Sequence, residues 1–198
     1  MNAMRTARSA RILFSLCALL AVPAYGGEPD VAWVERSRAL ADQLMSELKA
    51  ELGQAMQRGG PVAAVAVCKS RAPEIAARLS ASSGADVGRT AIRLRNPANA
   101  PDDLERAVMQ GFAAELSSAS PAATAPPEAI FESRSAQGTE RRYLRAIVTQ
   151  PVCLACHGAT LAPEIVTAIA RDYPQDAATG FETGQLRGAV TVRWPATR

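Results

Sequence analysis

The sequence predicts an α+β domain, an antiparallel sheet flanked by helices and preceded by a long N-terminal helix. Three observations carry that expectation. Apolar residues recur at helical spacing from Val31 to Met56, strand-like runs gather in the second half, and 198 residues suffice for one domain with its own core.

The first residues stand apart from that domain. Arg5, Arg8 and Arg11 form a basic n-region, Ile12 to Val22 an apolar h-region, and small residues follow at Ala24, Gly26 and Gly27. Residues 1–24 are therefore expected to be a signal peptide that sends residues 31–198 to the periplasm. The apolar run is short for a stable membrane span, so a leader retained as an anchor is the alternative. The formal net charge is +3, and the leader contributes three arginines and no acid. The remainder is near neutral, so nothing in its charge balance asks for nucleic acid or an anionic membrane.

In the domain, Trp33, Leu40, Leu44, Leu48, Leu52 and Met56 mark one face of the first helix, which Gly59-Gly60-Pro61 stops. A short apolar helix should then end near Cys68, and another should start at Pro73, a residue suited to a first helical turn. Val87, Thr90, Ile92 and Leu94 read as a strand, and "NPANAP" as a loop. Asp102 or Asp103 caps a helix through Leu104, Val108 and Phe112. "SSASPAATAPP", from Ser117 to Pro127, reads as a surface loop. "AIFES" and "RRYLRAIVT", separated by Ser-Ala-Gln-Gly, predict two antiparallel strands. A helix from Pro163 to Ala170 and a strand from Leu186 to Trp194 complete the pattern.

The chemistry concentrates in "VCLACHG", residues 152–158. Cys-x-x-Cys-His is the attachment pattern of a c-type haem: Cys153 and Cys156 add across two vinyl groups, and His157 ligates the iron. A thioredoxin-type redox pair would want a βαβ setting that the helix-first order does not offer. A zinc site would need Cys68, Cys153, Cys156 and His157 together, with adjacent Cys-His ligands awkwardly placed on one metal. His157 is the only histidine in the chain, so a second axial ligand must be something else. Once the leader is removed, three cysteines remain, and Cys68 is the one left over. Met45, Met56, Met109, Lys69 or no ligand at all are its rivals, and a small buried side chain is its bland reading. The motif comes late and no methionine follows it, unlike small soluble cytochromes c. The chain then ends in a strand, unlike four-helix-bundle cytochromes.

Four blocks, "AVAVCKSRAPEIAARLS", "VGRTAIRLRNPANAPDD", "CLACHG" and "DAATGFETGQLRGAVTVRWP", together resemble the PAS-like haem c domain family. The resemblance runs from about residue 31 to the end, with one departure at Leu104, a packing position where a tryptophan is expected. It implies a PAS-like sheet, one covalent haem c, and an axial pair made of His157 and Cys68. Arg89, Arg93 and Arg95 in "GRTAIRLR" are candidate contacts to the haem propionates, with Arg93 and Arg95 expected on one strand face. The function that follows is redox or ligand sensing or electron transfer, served by a redox partner or signalling protein. A plain periplasmic electron carrier, and a gas-binding haem protein with an open sixth position, are the alternatives. No substrate-converting activity is expected, because no Ser/His/Asp set survives once His157 binds iron.

Overall fold

The computed structural model describes residues 31–118 and 125–197. The expected signal peptide and the middle of the Ser117–Pro127 loop lie outside them.

The first element, α1 (Ala32–Ser83), is helical except at Gly59 (φ −152°, ψ 18°) and Gly60 (φ 68°, ψ −166°), where the chain turns back. Glu47 and Glu51 on the first leg meet Arg78 and Arg71 on the second. That crossed pairing needs an antiparallel hairpin. Such surface pairs contribute at most about 1 kcal/mol each. Leu44 and Leu48 packed with Ala72, Ile75 and Leu79 contribute more, since a fully buried leucine is worth about 1.5–3 kcal/mol. Packing, not charge, closes the hairpin.

The turn at Gly59-Gly60 is the stop expected from sequence. The break expected at Pro73 is absent, and the second leg runs straight through it. Pro73 lies on the exposed side, so its ring meets solvent and only the bond it would have donated to the Lys69 carbonyl is lost. Buried Ala72, Ile75 and Leu79 hold the helix past that gap. Cys68 thus sits inside a helical leg, not at a junction. It shares a stripe with Val65, Ala72 and Ile75 at three- and four-residue steps.

Four antiparallel strands follow: β1 (Asp86–Thr90), β2 (Glu128–Ser135), β3 (Gly138–Val148) and β4 (Leu186–Thr197), ordered β1-β4-β3-β2. Alternation divides the sheet. Val87, Tyr143, Val190 and Val192 pack on α1. Leu144, Ala146 and Ala189 pack on the opposite face against Met109 and Phe112 of α2 (Asp103–Ser118). The expected β2–β3 hairpin is present and turns at Ala136-Gln137. The α+β architecture and the long N-terminal helix are as the sequence predicts.

One strand is shorter than expected. β1 ends at Thr90, because the Ala91 amide bonds the Asn99 carbonyl at 3.2 Å and draws the chain off the sheet. Arg93 and Arg95 therefore lie in a bend and do not share a strand face. After β3, a 3₁₀ turn (Pro151–Cys153) leads into α3 (Leu154–His157), a single helical turn. α4 (Pro163–Asp172) follows, and its Ile165, Ala168 and Ile169 pack with Tyr173 around Val65 of α1.

Candidate cofactor site

Cys153, Cys156 and His157 fall on one side of a helical turn, because they are spaced by three and four residues. The turn is closed by Gly158, whose amide bonds the Leu154 carbonyl at 2.9 Å. A Cβ on Gly158 would stand 2.6 Å from that oxygen, so only glycine fits. Main-chain bonds from Phe181 to His157 O and from Gly180 to Gly158 O, both 2.9 Å, lash the motif to residues 180–181.

The imidazole is held in one orientation. His157 Nδ1 lies 2.6 Å from the Ala178 carbonyl, which can only accept, so Nδ1 carries the proton and Nε2 keeps its lone pair. Burial, followed by the charges of Arg187 and Arg95, pushes the histidine down to about 3. It is a neutral donor throughout the physiological range. Phe181 stands edge-on to the ring, 6.2 Å between centroids and 88° between planes.

Arg95 is the fastener behind this arrangement. It is 7% exposed, pairs with Asp176 through Nε at 3.0 Å, and donates from Nη2 to the carbonyls of Cys156 (2.7 Å) and Ala178 (3.3 Å). One side chain thereby joins the motif to the loop that orients His157. Arg93 donates to the Ala177 carbonyl at 3.2 Å and to that of Thr179, and its guanidinium lies 4.1 Å from the centre of the Phe181 ring. Two of the three arginines expected to meet propionates, Arg93 and Arg95, are thus bound to main chain.

Cys68 comes to the same place from α1. Its neighbour on the stripe, Val65, packs in a cluster that Cys156 joins, and Cys68 adds to the burial that pushes the Cys156 thiol up. Burial raises the Cys68 thiol pKa, while Arg89, Arg95 and Arg187 pull against it. Three of the rival ligands are elsewhere engaged: Met109 of α2 is buried against the sheet, Met45 packs in the α1 core, and Lys69 pairs with Asp172 at 3.1 Å; Met56 is half-buried near the end of the first leg. Among the described residues, no group of three or more His, Cys, Asp or Glu is placed to hold a metal ion, so the four-ligand zinc reading finds no support. Arg187, Asp176 and Phe181 escaped the sequence reading. Only their place in the last matching block could have marked them.

A family model described as Tll0287-like matches residues 28–195. The chain belongs to the Tll0287-like family. Among solved structures it is similar to the cyanobacterial heme-protein Tll0287, with 26% identity and a TM-score of 0.57, over 87% of this chain and 98% of that one. No curated protein matches it.

Proposed function

We propose that this member of the Tll0287-like family is an exported, single-haem c-type protein. Cys153 and Cys156 carry the thioethers, and His157 and Cys68 are the axial ligands. One observation carries the reading: a helical turn presents both thiols and a neutral imidazole with an unprotonated Nε2 on one side, and Cys156 packs against the α1 stripe that holds Cys68. The surroundings fit the group. Arg89 and Arg187 lie beside Cys68 without a carboxylate partner among the described residues, which suits a dianionic macrocycle. The similarity to a heme-protein supports the same cofactor.

When bound, the haem supplies a one-electron redox centre and an exchangeable axial position. The chain's own part is to fix the histidine tautomer through Ala178, hold the motif with Arg95, and bring Cys68 in from α1. The role is redox or ligand sensing or electron transfer with a partner protein in the periplasm, not substrate turnover. No helix among the described residues is long and apolar enough to cross a membrane.

Acid–acetone extraction of the purified protein should leave the haem on the polypeptide, with the leader gone and one haem added to the processed mass. Extractable haem, or bound zinc, overturns the reading. Spectra of both oxidation states then separate the roles. A carrier keeps both axial ligands on reduction, and a sensor loses one.

A further inference from the structure

The site holds more positive charge than its own carboxylates balance. Arg89, Arg95 and Arg187 all act on Cys68, and Arg187 is further opposed by Arg95 and Arg89. Asp176 pairs directly with Arg95 and reaches Arg187 only through its field. Among the described residues no carboxylate pairs with the other two. Unpaired, partly buried guanidinium groups are costly unless an anion arrives to meet them.

Arg187, at the start of β4, makes do with neutral acceptors. Its Nη1 reaches the Arg93 carbonyl at 3.3 Å, and its Nε lies 3.3 Å from Nδ1 and 3.5 Å from Nε2 of His157. Nδ1 already gives its proton to Ala178, so Nε2 offers Arg187 the only ring lone pair. Iron bound at Nε2 would take that acceptor away. Arg89, on β1, lies two residues from Val87 and so on the sheet face that α1 covers, and it has no hydrogen-bond acceptor among the described residues. Arg93 and Arg95 are already tied to main-chain carbonyls.

We propose that Arg187 and Arg89 anchor the two carboxylates of the bound haem, Arg187 turning from the His157 ring to a carboxylate as iron occupies Nε2. The assignment rests on the haem reading above. Two cations then meet a dianion through charge-assisted bonds, and Arg187 exchanges a long contact to a neutral nitrogen for a fork-shaped one.

The test uses holoprotein carrying Arg187→Gln or Arg89→Gln, each beside its lysine counterpart. Haem mass, midpoint potential and the propionate bending band in the resonance Raman spectrum are read together. The glutamine variants should keep the haem, shift the potential downward through loss of a cation that favours ferrous iron, and displace the Raman band. Lysine should restore the potential. Should a glutamine variant fail to fold, its lysine counterpart decides, with potential kept and the band displaced. Unmoved potential and band in haem-loaded variants overturn the assignment and leave the haem reading standing. So does a rise in potential with loss of the ferric low-spin spectrum, which would make the arginines counter-ions of Cys68. A wild-type protein without haem overturns both.

Discussion

Cys68 and Arg95 do opposite work although both converge on the motif. In the axial role proposed for it, Cys68 would be a donor that electronic properties should expose. A thiolate favours ferric over ferrous iron, so Cys68→Ala should raise the midpoint potential, turn the ferric spectrum from low toward high spin, and admit carbon monoxide or cyanide. An unchanged spectrum and potential would reduce Cys68 to a packing residue. Arg95 is instead structural, a buried ion-pair member with two carbonyls in hand. Arg95→Met strands the Asp176 carboxylate, and chemical denaturation should show a loss of about 3–5 kcal/mol. A loss under about 1 kcal/mol would mean that Asp176 finds water. At this scale the sequence was legible where chemistry is written in spacing. Cys153, Cys156 and His157 declare themselves by adjacency, and Cys68 by being left over. Arg187 could not be found that way, because its meaning comes from the His157 ring, thirty positions earlier in the chain.

Among the elements, α1 shows how local signals are read correctly and then outweighed. Gly59-Gly60 announces a turn, and there is one. Gly60 at φ 68° and ψ −166° occupies a region nearly closed to side chains, so Gly60→Ala should cost about 1–3 kcal/mol in thermal or chemical unfolding. An alanine variant as stable as wild type would show that the turn can be rebuilt. Pro73 announces a start, and there is none. The second leg is held by the apolar stripe that includes Ala72, Ile75 and Leu79, and tertiary packing overrides one missing hydrogen bond. β1 fails in the other direction. Ile92 and Leu94 look like strand, yet the hydrogen bond from Ala91 to Asn99 ends the pairing first.

For the whole molecule, two ion networks tie helices to the sheet and should set its acid limit. Arg38 of α1 meets Glu128 of β2, whose other oxygen accepts from the Tyr143 hydroxyl at 2.7 Å. The Arg38 bond first, aided by Tyr143, holds the Glu128 carboxyl below its usual range against burial. At Asp102 burial pushes upward, but the Glu105 amide and Arg142 outweigh it, and the net shift is again downward. Carboxyls depressed in the fold stabilise it above their unfolded pKa of about 4, and that stability drains away as pH falls through the folded values. Tm should therefore be level near neutrality and decline below about pH 4, less steeply in Arg38→Gln. An equally steep decline in that variant would place the acid limit elsewhere. The sheet order carries a further consequence, one of timing. β4, the last strand in the chain, lies between β1 and β3, so the sheet stays open until β4 inserts. The motif at residues 153–157 precedes β4 in the chain, so in a chain that arrives N-terminus first there is an interval before β4 can insert. During that interval the two thiols stand on a chain that cannot yet close over them, within reach of any machinery that must bond something to them first.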